Sequence, residues 1–278
     1  MSKLIKEQGK SGSVLPIYME QATKSINLYG ESVQSALGES FFLTPSGDIR
    51  PLENVTFICF TNRCGSNYFS EVLDTTGFFD NKGEAFNWNR IQDECSKRGI
   101  SCFHDYVHEV LSPRKGIASL IKIGWPQLLY LEKSGLLKKF FTSPKYLWVR
   151  RRDFLSQAIS LHIALVSGKW KSNQASKATN VAYNYKAISK SVSVILQGNE
   201  YFLRDFIFTE KPFIEICYED FCENLNLYLK KVFQFLNLPG QPLPNSELVR
   251  VKIQRNELND KFRQQFLSDI IANDGGGV

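Results

Sequence analysis

Two short segments of the sequence bring together residue types that hold anions. The first is Thr61-Asn62-Arg63-Cys64-Gly65-Ser66-Asn67, directly after the apolar run Val55-Thr56-Phe57-Ile58-Cys59-Phe60. Gly65 lets the backbone turn tightly, Ser66 suits the cap of a following helix, and amides at such a helix start gather at the positive end of its dipole. Arg63 adds a planar guanidinium that can fork two anionic oxygens. The second segment, Tyr146-Leu147-Trp148-Val149-Arg150-Arg151-Arg152-Asp153, ends a strand-like stretch in three arginines and an aspartate of the N-capping type. A helix starting at Phe154 sets positions 152, 156 and 160 along one side, so Arg152 and Ser160 are expected to address one phosphate. An ordinary strand-to-helix turn with solvated side chains is the competing reading of either loop alone. Two such loops on neighbouring strand ends are harder to set aside than one. Neither contains G-x-x-x-x-G-K-[ST], the nucleoside triphosphate cradle, nor G-x-G-x-x-G, the dinucleotide fingerprint.

Other chemistry-bearing residues are less pointed. His104 and His108 stand four apart on a helix-prone stretch and superficially suit a metal. No third ligand is visible, and Asp105 stands where the zinc motif has glutamate. No metal site is expected, and a surface or acceptor-side role is assigned to the pair. His162 falls mid-helix and reads as packed, and Asp220 with Glu223 fits a helix-capping arrangement. Trp88, Trp125 and Trp170 could stack on a sugar ring, with core packing the default for any one of them.

The elements that must position these groups recur along the chain. Val55–Phe60 reads as a strand before a helix near Tyr68, and 118–125 as a strand before a helix at 127–133. Tyr146–Val149 precedes a helix over 154–166 whose core stripe is Leu155, Ala158, Ile159, Ile163 and Val166. A longer helical stretch runs from Val181 to Phe202, then a strand at 213–217 leads into a helix over 221–236. Short buried strands alternating with helices imply crossover units and a parallel sheet covered on both faces. Residues 1–50 read as polar and irregular, an N-terminal extension that wraps the domain or meets a partner. The domain itself is set at 51–272, with a frayed tail at 273–278.

Composition bounds the rest. With 278 residues, 43% hydrophobic and 22% charged, the chain is neither disordered, collagenous nor a coiled coil. A net charge of +6 suits anionic ligands but is too modest and dispersed for a nucleic-acid footprint. No apolar run is long enough to span a bilayer, and no secretory signal is evident. The six cysteines show no CxxC pair and read as free cytosolic thiols, so a cytoplasmic setting is expected.

At this point the residues match a family. FICFTNRCGSNYFSEVLDTTG together with YLWVRRRDFLSQAIS resembles the two phosphosulfate-binding segments of sulfotransferases, most closely the bacterial Stf0 type, whose described member sulfates trehalose. Gly83-Glu84-Ala85-Phe86, Lys122-Ile123-Gly124-Trp125, NVAYNYKAI, and Ile216-Cys217-Tyr218-Glu219-Asp220-Phe221 followed by VFQFLNLP fit in the same order. The resemblance spans roughly 51–270. It implies a P-loop-like parallel sheet flanked by helices. It also implies transfer of a sulfuryl group from 3′-phosphoadenosine 5′-phosphosulfate (PAPS) to a hydroxyl, usually of a carbohydrate or glycolipid, with no metal. Carried over, Arg63, Cys64, Gly65, Ser66 and Asn67 hold the 5′-phosphosulfate, and Arg152 with Ser160 the 3′-phosphate. Glu84 becomes the general base. Lys122 either faces the transferred group or makes a structural ion pair, and Lys252 and Arg255 are weaker candidates for the 3′-phosphate. A homodimer is compatible with this reading. The alternatives carried beside it are a small-molecule kinase-like phosphotransferase and a non-catalytic nucleotide- or glycan-binding module.

Overall fold

All six side chains of Val55–Phe60 are buried, as they must be in a strand covered by helices on both faces. The computed structural model describes residues 14–43, 49–170, 174–175, 180–240, 243–249 and 257–274. Short 3-10 turns aside, the elements in chain order are α1 (Val14–Leu37), β1 (Val55–Phe60), α2 (Ser66–Asp74), β2 (Phe79–Gly83), α3 (Trp88–Arg98), α4 (Phe103–Tyr106), β3 (Ala118–Ile123), α5 (Trp125–Lys133), α6 (Leu136–Phe140), β4 (Lys145–Arg150), α7 (Phe154–Ser167), α8 (Tyr185–Phe208), β5 (Phe213–Cys217), α9 (Tyr218–Glu223), α10 (Leu225–Leu236) and α11 (Glu257–Asp274). A π-helical turn, Val107–Leu111, continues α4.

The strands form one sheet in the order β2-β3-β1-β4-β5, every pairing parallel. The two-residue alternation of strands divides its core. Phe57, Cys59, Ile121, Tyr146 and Trp148 join one cluster, while Ile58, Phe60, Leu120, Leu147 and Val149 join another. A third cluster lies between α7, α8 and α11, around Ala158, Ile159, Ile188, Ile195 and Phe262. Among the described residues no helix is long and apolar enough to cross a membrane.

The structure corrects several boundaries. β2, with sequence FDNKG, is absent from the sequence reading because aspartate, asparagine, lysine and glycine all disfavour strands. It is an edge strand, where charged residues belong, and Asp80 and Lys82 pair at 2.7 Å. Residues expected to be irregular before Pro51 contain the 24-residue α1. α1 packs on α3 and α5, placing Tyr29 and Val33 in the main core with Phe41 from the turn that follows. Gly30, which interrupts the helical pattern, is needed there. A Cβ at that position would meet the Tyr130 ring at 2.5 Å.

On α7 the buried face is wider than the expected stripe. Leu161 and Ala164 are buried and Val166 is exposed, because the helix packs against both α8 and α11. The single helix expected over 221–236 is two, α9 and α10, broken at Asn224 (φ −130°, ψ 53°). The tail beyond Asp274 and the pair Lys252 and Arg255 lie outside the described residues.

Candidate active site

Every strand of the sheet runs in the same direction, so the loops at their carboxyl ends meet around one cleft. It has a volume of about 810 Å³ and is lined from all five strand exits, by Arg63, Glu84, Lys122, Arg151 and Tyr218 among others. Gly65 takes φ +94° and caps α2 with backbone alone, so the capping expected of Ser66 does not occur. Ser66, Asn67 and Tyr68 of the first helical turn line the cleft, where the dipole's positive end favours an anion. Gly65 is irreplaceable for a second reason: a Cβ there would lie 2.0 Å from the Tyr218 ring. Cys64 is fully buried among apolar side chains, and burial pushes its thiol up. It packs beneath the loop rather than lining the cleft.

Arg63 joins the two halves of the site. Its φ of +67° lies in the left-handed region, a strained conformation for a side chain of its size. Nε donates to Ser160 Oγ at 2.9 Å, and Nη1 donates to the Trp170 carbonyl. Burial, and then the nearby positive charge of Arg151, pull its guanidinium below the ordinary arginine value. Gln157 braces the same junction, its Nε2 donating to Thr61 Oγ1 at 3.0 Å and to the Asn62 carbonyl at 2.8 Å.

Of the arginines after β4, Arg151 lines the cleft and Arg152 does not. Arg152 turns to α9, where its guanidinium donates to Asp220 Oδ1 at 2.6 Å and lies half exposed. The expected pairing of Arg152 with Ser160 is therefore not formed, and the helix-capping role expected of Asp220 gives way to this ion pair. Glu219 holds the loop between them. It accepts from the backbone N–H of Arg152 at 3.1 Å and of Asp153 at 3.3 Å. Burial alone would raise its carboxyl; the backbone donors and the Cys217 thiol together outweigh that and hold it below the usual range. Arg151 Nε lies 3.7 Å from Glu219 Oε1, too far for a hydrogen bond, and is buried with no hydrogen-bond partner among the described residues. Asp153 caps α7 through the Ser156 amide, as its type suggests, and also accepts from Arg263 of α11 at 2.8 Å.

Across the cleft, three sequence candidates converge. Lys122, on the same face of β3 as Leu120, is 3% exposed and lies 4.5 Å from the centre of the Phe60 ring. Its Nζ donates to Glu84 Oε1 at 2.9 Å and to Asn67 Oδ1. Glu84 leaves β2 just after Gly83, itself in the left-handed region, and stays 43% exposed. The arrangement combines a held carboxylate, a buried ammonium, two guanidinia and helix-start amides. It can bind a doubly anionic ligand and take a proton beside it.

The remaining candidates fall elsewhere. His104 Nδ1 is 2.9 Å from Asp105 Oδ1, and Cys102, unseen as a third group in the sequence, lies with them inside 4.8 Å. None of these lines the cleft. His162 is buried and bonded to the Ala182 carbonyl. Trp170 lines the cleft, while Trp125 stacks on Tyr201 at 4.4 Å. Arg151, Gln157, Tyr218, Glu219 and Arg263 were not singled out as site residues from the sequence. Arg151 carried a signal, as one of three consecutive arginines; the others depend on contacts far apart in the chain.

The family model described as Stf0 sulphotransferase matches residues 125–269, just over half of the chain. The match begins after Lys122, so the 61–67 loop and Glu84 lie outside it. No curated protein matches the sequence. Similar solved structures include a mouse sulfotransferase, SULT7A1, complexed with PAP (12% identity, 85% of this chain and 69% of that one, TM-score 0.42). The sulfotransferase domain of the Synechococcus PCC 7002 olefin synthase is 14% identical over 80% of this chain and 90% of that one, TM-score 0.45. A sulfotransferase from Alicyclobacillus acidocaldarius is 16% identical over 79% and 92%, TM-score 0.45.

Proposed function

The chain belongs to the Stf0 sulphotransferase family and is a sulfotransferase, and from that premise we propose that its cleft binds PAPS and directs the sulfuryl group to a hydroxyl of a carbohydrate or glycolipid. The observation that carries this reading is the junction at Arg63, where the 61–67 loop meets Ser160 of α7 beside Arg151. The donor has two anionic ends, and Arg63 and Arg151 both line the cleft, each with further donors beside it. Arg63 and the first-turn amides of α2 would hold the phosphosulfate. Arg151, with Ser156 and Ser160, would hold the 3′-phosphate, replacing the Arg152 expected from the sequence.

When bound, the donor supplies an activated sulfuryl group, whose bond to the phosphate oxygen breaks as the bond to the acceptor oxygen forms. Glu84 receives the hydroxyl proton. Lys122 fixes the Glu84 carboxylate and, with Arg63, offers positive charge to the phosphate oxygen that departs with the electron pair. These groups supply the charge that a divalent metal would otherwise bring, so donor binding is expected without one. The polar arm of the cleft, with Ser70, Asn81, Asn87 and Arg90, suits a hydroxyl-rich acceptor. All six cysteines stand free, which agrees with the reducing cytoplasmic setting included in this proposal.

Calorimetry with 3′,5′-ADP tests the donor assignment. Binding that persists with a chelator present, and exceeds that of ATP with magnesium, is expected. Failure to bind 3′,5′-ADP, or a strict need for magnesium, would overturn it. Transfer from radiolabelled donor to a panel of glycosides tests the reaction.

A further inference from the structure

Beside the main cleft lies a second cavity of about 330 Å³. The two share Phe60, Asn62, Glu84, Asn87 and Lys122, so the Lys122–Glu84 pair stands at the mouth between them. Whatever fills the side cavity presents its end to the same carboxylate that faces the donor cleft. The main cleft is rich in charged and amide side chains, whereas in the side cavity these are confined to the shared mouth and Gln127. Beyond its mouth the walls are built chiefly from Phe86, Ile123, Trp125, Leu161 and Ile195, with Val194 at the rim, and among the described residues its only charged ones are Glu84 and Lys122. A sugar ring placed there would leave hydroxyls against hydrocarbon, each losing its hydrogen bonds to water.

The walls are also fixed in place. Trp125 stacks on Tyr201 at 4.4 Å, and it can approach α8 so closely only because residue 198 is glycine. A Cβ at 198 would lie 3.0 Å from the indole Cδ1 and 2.8 Å from the Thr61 methyl. Two polar side chains, Thr61 and Gln127, join the lining beyond the mouth, and Thr61 Oγ1 already accepts from Gln157.

We propose that the acceptor is amphipathic: a glycoside whose sugar lies in the polar arm of the main cleft and whose apolar aglycone or acyl group enters the side cavity. This rests on the sulfuryl-transfer reading and narrows its acceptor from any carbohydrate or glycolipid to glycosides whose apolar group is held in the side cavity. The reacting hydroxyl lies at the junction, beside Glu84, and the cavity selects what the sugar carries. A free disaccharide satisfies the polar arm alone.

The test is binding of a graded series, methyl, butyl, hexyl and octyl glucoside, to the full chain saturated with 3′,5′-ADP. Burying each methylene should tighten binding by about fourfold, so hexyl glucoside should exceed methyl glucoside by at least about 100-fold before the gain levels off. Val194→Asp, at the partly exposed rim, should erase most of this slope without weakening 3′,5′-ADP. Because Val194 is 48% exposed, this change leaves the core intact. Equal affinity along the series, preference for free glucose or trehalose, or a slope unmoved by Val194→Asp would overturn the inference while leaving sulfuryl transfer standing. Absence of 3′,5′-ADP binding would instead overturn the donor reading, and this proposal with it.

Discussion

Arg63 Nε donates to Ser160 Oγ at 2.9 Å, a hydrogen bond between residues 97 positions apart. It closes the ring of the cleft by tying the loop after β1 to the second turn of α7. Because Arg63 is held in the left-handed region, its direction depends on this bond and on the Trp170 carbonyl. Ser160→Ala should leave the fold intact and weaken 3′,5′-ADP by about 0.5–1.5 kcal/mol, the net value of a typical hydrogen bond. Calorimetry on the purified variant reads this directly, and unchanged affinity would mean that the junction does not serve the ligand.

The two neighbouring arginines separate cleanly. Arg151→Ala should weaken 3′,5′-ADP by about 1.5–3 kcal/mol, as expected for loss of a charged hydrogen bond. Arg152→Ala removes a solvent-exposed pair with Asp220 and should change the affinity by less than about threefold. The reverse ranking would restore Arg152 as the phosphate ligand.

Glu84→Gln keeps the shape of the side chain and removes its proton-accepting capacity. Turnover should fall by roughly 10²–10⁴-fold, the usual contribution of a general base, with 3′,5′-ADP affinity nearly unchanged because Arg63 and Arg151 remain. Steady-state kinetics beside calorimetry gives both numbers. Retention of more than about a third of wild-type turnover would assign the base elsewhere.

Gly65→Ala should be among the most damaging small substitutions in the chain. It combines a φ of +94° with a Cβ placed 2.0 Å from the Tyr218 ring. Tyr218 must move or the loop must refold, at a cost of at least about 1–3 kcal/mol. Thermal melting and 3′,5′-ADP binding should both decline, and a variant with native affinity would show that Tyr218 shifts without consequence.

Stability should fall in acid partly through Glu219. Its folded carboxyl sits below the ordinary 4.5, so the native state binds its proton less readily than the unfolded chain. The stabilisation is present in full above the unfolded value and is lost as pH falls through the lower folded one. Denaturant melts from pH 6 down to 3 should show this loss, and Glu219→Gln should flatten it. An equal acid slope in both proteins would remove Glu219 from the account.

The sequence by itself determined the parallel α/β architecture and picked out several of the residues that line the candidate site. Hydrophobic runs of strand length, rich in β-branched and aromatic residues and ended by turn residues, read as strands covered on both faces, and β1, β3, β4 and β5 lie where those runs lie. Gly65 was legible because a tight turn into a helix favours glycine, Arg63 because a guanidinium beside helix-start amides marks an anion site, and Asp153 because capping is local. β2 was not legible, since an edge strand is stabilised by one neighbour and by solvent and tolerates the polar string FDNKG. α1 was obscured by Gly30, whose place in a helix is explained only by the Tyr130 ring against it.

Tertiary structure alone decided which arginine enters the cleft. Local chemistry does not distinguish Arg151 from Arg152: both follow the same strand, and both carry the same charge. Asp220 captures one of them from α9, 68 residues away, while Glu219 pins the backbone of the loop and leaves Arg151 on the cleft side. The Lys122–Glu84 pair has the same origin. It forms because β2 and β3 are neighbours in the sheet, a pairing fixed by the packing of whole strands and helices and not by any residue near either side chain in sequence.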